Sequence, residues 1–438
     1  MKLYGTIRRV ALAGTAVAGL AFAGAASAQI IASPDEAALA RTGEFARDQN
    51  ISVLDRPRPE YAPLGINAGA FRIQPELDAS LEYNSNIYAV PTNVVSDEIA
   101  HISPSLIATS TWSRNQLQFF GRGSFNEYFD HDSESTQNGA VGLNGRLDVS
   151  HDLGIAAGGT YEHDSESRTS PNSPVVSIHP IEYDLASAYI VGAMELTRVR
   201  LSARYDFQSY MYQNGQLASG ASLYQKSRDY DVSIGTFRAE YAALPGTSVF
   251  ANLVVNAQQN QNVRPGLDIS RTNSGYEVTV GSNFDLSHLI RGEVFVGYLD
   301  QTFDNRLYKE ITGVSLRGYL QWFPTQLATV TLSGTRIPVD SAIVGVGAYL
   351  DSNISARLDY ELLRNLLINA SVTFENDDYS GVSRHDDRNF ETLGATYLMN
   401  RRVGLSLTYQ HQQNSSGGQL AGLNFDINSI TAGVNLRY

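Results

Sequence analysis

Phe71-Arg72-Ile73-Gln74-Pro75-Glu76-Leu77-Asp78-Ala79-Ser80-Leu81-Glu82-Tyr83 alternates without a break. Ile73, Pro75, Leu77, Ala79, Leu81 and Tyr83 fall on one face, with Ile87 beyond them. Arg72, Gln74, Glu76, Asp78, Ser80 and Glu82 fall on the other. Side chains of a strand point alternately to opposite faces, so a period of two gives one apolar and one polar surface. The alternation returns at Val199 to Gln208, Tyr276 to Asp285, Val344 to Tyr360 and Val403 to Gln410. Lipid outside and water inside would demand this pattern, and so would a half-buried soluble sheet.

The connections separate the two. Eighteen candidate strands begin near residues 71, 100, 116, 137, 153, 180, 199, 224, 247, 274, 290, 310, 327, 343, 366, 385, 403 and 425. Even-numbered strands lead into tight turns, such as Ser150-His151-Asp152, Leu244-Pro245-Gly246, Phe323-Pro324-Thr325 and Asn400-Arg401-Arg402. Odd-numbered strands lead into longer polar loops: Asp164 to Val176, Gln213 to Leu223, Gln259 to Asn273, Asn376 to Arg388 and Gln410 to Leu423. Short turns at one end and long loops at the other describe an all-β, transmembrane, antiparallel up-and-down barrel over residues 71–438. The strand number lies between about 16 and 20 on this pattern. The strands near 180 and 224 alternate poorly, which predicts bulges there. Aromatics cluster where girdles belong: Tyr83, Tyr128, Tyr161, Tyr205, Phe207, Tyr210, Phe303 and Tyr379 towards one end of the strands, Trp112, Tyr241, Tyr319, Trp322, Phe323, Tyr360 and Tyr438 towards the other.

Composition agrees. The 438 residues include 37 Gly, 24 Tyr and 17 Phe, only 18% are charged, and mean hydropathy is −0.20. That is too polar for a helical membrane protein and too poor in charge for an ordinary soluble one. A formal net charge of −13 argues against a nucleic-acid partner, and the absence of cysteine excludes disulfides and thiolate metal sites. Lys2, Arg8 and Arg9, an apolar run from Val10 to Ala23 and the small residues Ala26-Ser27-Ala28 predict a secretory signal over 1–28. Residues 29–70 form a separate periplasmic segment on this reading. Ser33-Pro34-Asp35-Glu36 is a capping box that predicts a short helix from Pro34 towards Asp48. Arg56-Pro57-Arg58-Pro59-Glu60-Tyr61-Ala62-Pro63 should stay extended, as a tail, a plug in the pore or a docking peptide.

Two resemblances follow. Thr431-Ala432-Gly433-Val434-Asn435-Leu436-Arg437-Tyr438 resembles the C-terminal targeting strand of outer-membrane barrels, with Thr431, Gly433, Leu436 and Tyr438 on the motif positions. The resemblance implies that the outer-membrane assembly machinery reads it. Arg56 to Ile66, Gly69-Ala70-Phe71 and Tyr83-Asn84-Ser85-Asn86-Ile87-Tyr88 are similar to the opening of the putative β-barrel porins of the second type. These are Gram-negative outer-membrane proteins, some encoded beside exopolysaccharide secretion genes. The family implies a location in lipid and lipopolysaccharide, a pore, and polysaccharide export proteins as partners.

The polar face supplies the pore-lining candidates: Arg72, Glu76, Asp78, Glu82, Arg122, Arg146, Asp148, Glu162, Arg200, Arg204, Asp206, Glu277, Asp285, Arg317, Asp351, Arg357, Asp359, Glu375 and Arg437. They can pair into a network that stiffens the wall or set a field along the channel, as charge rings do. Asp130-His131-Asp132, Glu162-His163-Asp164 and His385-Asp386-Asp387 offer carboxylate–histidine pairs, but no G-x-S-x-G elbow, phosphate loop or metal-ligand spacing accompanies them. No enzyme, cofactor or metal site is expected. The expected function is passage of hydrophilic material, with exopolysaccharide the favoured cargo. The alternatives are general small-solute diffusion and a closed structural or attachment barrel.

Overall fold

The computed structural model describes residues 51–438 apart from 175, 265–268, 287–288 and 344; the signal segment and the helix expected from Pro34 lie outside the described residues. Eighteen long strands build the wall. They are β1 (Phe71–Asn84), β2 (Asp97–Ser110), β3 (Gln116–Tyr128), β4 (Thr136–Asp148), β5 (Leu153–Ser165), β6 (Glu182–Glu195), β7 (Val199–Tyr212), β8 (Tyr230–Leu244) and β9 (Thr247–Asn260). The second half adds β10 (Asn273–Leu286), β11 (Ile290–Phe303), β12 (Ile311–Thr325), β13 (Ala328–Asp340), β14 (Ala348–Leu363), β15 (Leu366–Tyr379), β16 (Arg384–Leu398), β17 (Val403–Gly418) and β18 (Phe425–Arg437). Each pairs antiparallel with the next, and β1 closes on β18 from Glu76↔Arg437 to Asn84↔Ser429. A closed barrel leaves no free strand edge, which is what a chain in hydrocarbon requires. No helix among the described residues is long and apolar enough to cross a membrane; the strands do so.

The two faces are those of the alternation. Leu81, Ile102, Val141, Ile190, Val280, Ile354 and Leu407 stand exposed on the outside. Cross-strand register puts the polar residues of neighbouring strands together on the inside, as Glu76 lies opposite both Ser105 and Arg437. With Pro245 holding φ, Gly246 takes a φ of 73° in the two-residue connection between β8 and β9, a conformation that favours glycine.

Two strands start well away from the expected places. β8 begins at Tyr230 because Lys226–Arg228 forms a 3-10 turn first, and β14 begins at Ala348. Of the two strands expected to bulge, β6 keeps its register throughout, while β8 carries one irregularity, at its turn end. Register breaks at Ala242/Leu244 of β8, and also at Trp322/Thr325 and Glu361/Leu363, all beside tight turns. Phe323-Pro324-Thr325 therefore lies within β12, and Gln326-Leu327 makes the turn. Asn376 to Arg388 and Gln410 to Leu423 are not loops for most of their length. Strands β15, β16 and β17 run on through them, and backbone pairing continues although the alternation of side chains has lapsed.

Candidate functional site: a barrel interior crossed at both ends

Charges on the inner face are paired along the wall. Arg204 meets Asp206 at 2.6 Å, Arg317 meets Glu277 at 2.8 Å, Arg357 meets Asp359 at 2.8 Å and Arg200 meets Glu195 at 3.6 Å. Arg146 lies 3.6 Å from Asp148 and Arg122 reaches over β4 to Glu162 at 3.0 Å. Asn435 Nδ2 donates to Asp78 at 2.7 Å and also to Glu76, while Glu82 holds His101 at 3.0 Å. Asp351, Glu375 and Asp377 gather in one group, with Arg388 paired to Glu375 at 2.6 Å and to Asp377. Partners lie on the same strand or within a few strands, so the pairs stiffen the wall and leave no continuous stripe of one sign. Arg238, Glu293 and Arg388, absent from the sequence-derived set, join this network; Arg238 meets Glu293 at 2.9 Å. Strict alternation counted back from Tyr241 would have found Arg238.

At the turn end the chain before β1 crosses the interior. Ile66–Ala68 pairs with Phe71 to Ile73 of β1, and Gly65 turns the chain with a φ of 68°. A Cβ there would stand 3.0 Å from both Arg72 Nε and the Ile73 carbonyl, so glycine suits the bend. Arg72 steadies the same bend by donating to the Leu64 carbonyl at 2.5 Å. Beyond the bend the segment runs to the far side. Glu361 of β14 accepts from Arg58 at 2.7 Å and from Arg56 at 3.3 Å, and Val53 N donates to Thr329 Oγ1 of β13 at 2.9 Å. Arg364 donates to Glu60 at 2.8 Å and to the Pro57 carbonyl at 2.7 Å, and Asp55 lies 3.7 Å from Arg291 of β11. Burial lowers the pKa of Arg58, with the Glu361 carboxylate acting against it. The Glu60 carboxyl is held below its ordinary value by its own backbone N–H and then by Arg364. Residues 53–64 are thus a chord across the mouth and not a free tail.

At the loop end residues 166–174 and 176–181 fold across the opposite mouth. Asn172 donates to the Asp340 carbonyl at 3.2 Å and accepts from Ala342 N at 2.8 Å. The segment leaves β5 and meets the end of β13, eight strands away in a ring of eighteen, so it spans the barrel. Buried ion pairs lock it. Glu166 takes both guanidinium nitrogens of Arg228, at 2.6 and 3.1 Å, and Glu134 takes Arg168 at 2.7 and 2.8 Å. Burial opposes the Arg228 charge, but Glu166 wins and holds its pKa above the ordinary value. Beneath this roof lies a cavity of about 170 Å³.

The sequence profile of the family described as putative beta-barrel porin 2 matches residues 58–438. The chain belongs to that family. A location in the outer membrane of a Gram-negative cell follows for this porin-family member from its barrel and its family. No curated protein matches it. Among solved structures it is similar to the outer membrane protein OpdK from Pseudomonas aeruginosa, with 13% identity and a TM-score of 0.44 over 84% of this chain and 99% of that one. It is similar also to a BenF-like porin from Pseudomonas fluorescens Pf-5 (12%, TM-score 0.46, 84% and 99%) and to OccK2 (OpdF) from Pseudomonas aeruginosa (11%, TM-score 0.46, 84% and 98%).

Several aromatics of this porin-family chain do not belong to the girdles. Tyr83, Tyr161, Tyr205, Tyr241, Trp322 and Tyr360 do stand exposed on the outside. Tyr128, Tyr210, Phe303, Tyr319, Phe323 and Tyr379 instead share the inner face through their register. Tyr210 stacks on Tyr230 with ring centroids 4.6 Å apart, and Tyr183 lies 5.4 Å from Tyr212. In β18, Thr431 and Gly433 take the inner face and Leu436 and Tyr438 the outer, with Arg402 over the Tyr438 ring at 5.0 Å. An added Cβ at Gly433 would lie 2.8 Å from Ser406 Oγ, so the motif glycine fits a crowded seam. Two histidines of the acidic groups are tied down: His131 meets Asp97 at 2.9 Å and His163 meets Asp184 at 2.9 Å.

Proposed function

We propose that this barrel conducts small hydrophilic solutes across the outer membrane, with its turn end towards the periplasm. The observation that carries this reading is a polar interior, its arginines paired with carboxylates, crossed by a segment at each mouth. Balanced pairs interact weakly with any one ion, which suits entry and release. Two crossing segments favour small cargo, because a polymer would need both displaced at once; exopolysaccharide export is therefore the weaker reading. A closed structural barrel is the alternative from another class, and the turn-end chord is what favours it.

Planar-bilayer recording decides. The full-length barrel should give discrete channels with little preference between K⁺ and Cl⁻. Deleting residues 51–64 should raise conductance several-fold. Silence from both proteins would leave the structural reading standing. We further propose that β18 is the strand the assembly machinery reads. Deleting Tyr438 should then leave the chain in the periplasm, and normal outer-membrane levels would contradict that role.

A further inference from the structure

The cavity under the loop-end roof has a composition of its own. Tyr183 of β6, Tyr210 and Tyr212 of β7 and Tyr230 of β8 contribute four rings to its lining. Tyr183 lies directly opposite Tyr212, and Tyr210 opposite Tyr230, so strand pairing and ring contact hold the row rigid. Arg228 covers the Tyr212 ring at 4.1 Å. Ile234 and Phe303 add apolar wall. Aromatic faces and aliphatic side chains suit C–H surfaces, and phenols bring a polar handle.

The polar groups of the lining are left with capacity unused. Asn256 Oδ1 and Arg271 Nε make no hydrogen bond, and the Tyr210 hydroxyl and Gln258 Nε2, though close to Tyr230 and Asp340, make none of good geometry. Tyr210 is 3% exposed and Arg271 8%, so both are removed from bulk water. Buried polar groups without partners are costly, and a ligand that supplies partners is held by them. Donors and acceptors are both represented, so the missing partner must itself both donate and accept. Formal charge is balanced, because Arg228 and Arg271 face Glu166 and Asp340 across the same space. An ionic ligand would therefore gain no net attraction. The volume, about 170 Å³, falls below the roughly 300–1,000 Å³ of pockets that take drug-sized molecules, so a single ring fits better than two.

We propose that this cavity is a binding subsite for one ring of a neutral saccharide, taken with its C–H surface on the tyrosine row and its hydroxyls on Asn256, Gln258, Arg271 and Tyr210. The proposal rests on the channel reading for its purpose, since it names the class of solute that pauses inside, but its binding test does not. D-glucose is titrated calorimetrically into the detergent-solubilised full-length barrel. It should bind with millimolar affinity and, in bilayers, reduce channel current reversibly. Tyr210→Phe keeps the ring and removes only the hydroxyl, and Asn256→Leu removes an acceptor. Each should weaken glucose binding at least fivefold. Benzoate is the charged aromatic control and should not compete. Conductance without glucose binding, undiminished binding in both variants, or displacement of glucose by benzoate would each overturn the subsite. Glucose binding to a barrel that never conducts would keep the subsite and defeat the channel reading instead.

Discussion

The two mouths are closed by different physics. At the loop end the crossing segment is part of the wall's own loops, and its ion pairs are sealed, with Glu134 and Arg168 at 2% and 10% side-chain exposure. At the turn end the crossing segment precedes the barrel, and several of its contacts are open to water: Arg364 and Glu60 are 43% and 45% exposed, and Asp55 is 60% exposed. Breaking one partner of a buried pair strands a charge, whereas an exposed pair contributes little. The chord does hold one sealed pair, Arg58–Glu361 at 8% and 5% exposure, but the rest of its ion pairs are more open, so it is the less firmly held of the two.

Glu166→Gln should have the largest effect. It leaves Arg228 buried without its carboxylate and should cost about 3–5 kcal/mol in the roof. Faster protease cleavage within 166–181, with the barrel still intact on a gel, would report it. The wall between the mouths serves as reference. Leu407→Arg puts a charge in lipid and should cost roughly 2–4 kcal/mol near the midplane, while Thr408→Arg points into water and should be tolerated. Equal damage in heat-denaturation assays would mean that the faces are misassigned.

Glu361→Gln strikes the chord where it is best anchored. Loss of charged hydrogen bonds from Arg56 and Arg58 should weaken docking by about 1.5–3 kcal/mol and raise conductance towards that of the 51–64 deletion. A rise no greater than that from Glu166→Gln would erase the contrast between the mouths. The smallest effect belongs to Glu60. Its folded pKa is lowered, so its contribution is present above the ordinary value near ~4.3 and fades as pH falls through the lowered one. Acidification below that range should loosen the chord, and Glu60→Gln should remove this pH dependence from the current.

Much of the wall was legible because a two-residue period survives wherever one side is lipid and the other water. Strands such as β1, β7 and β17 begin where the pattern says they should. The polar side of the same period is where Arg204, Arg317 and Arg357 find Asp206, Glu277 and Asp359. Past the bilayer both faces are wet, so Asn376 to Arg388 reads as a loop although it pairs. The tyrosine row escaped because Tyr210 and Tyr230 look like girdle residues until parity is counted, and the strand holding Tyr230 starts six residues late. The chord escaped because a proline-rich stretch announces only its extension. Nothing local says that Arg58 will find Glu361, 303 residues on.

That last separation sets a clock. The chord docks on β11, β13, β14 and the turn after β14, and Gly65 N donates at 3.0 Å to the carbonyl of Tyr438, the residue that follows β18. The platform for residues 53–60 is built by β11 to β14 alone, whereas the Gly65 bond needs the first and last strands to have met. Contacts of such long range are slow to form, since loop closure must precede any gain from them. The chord therefore joins the start of the chain to strands near its end, and docking it ties the two halves of the wall together.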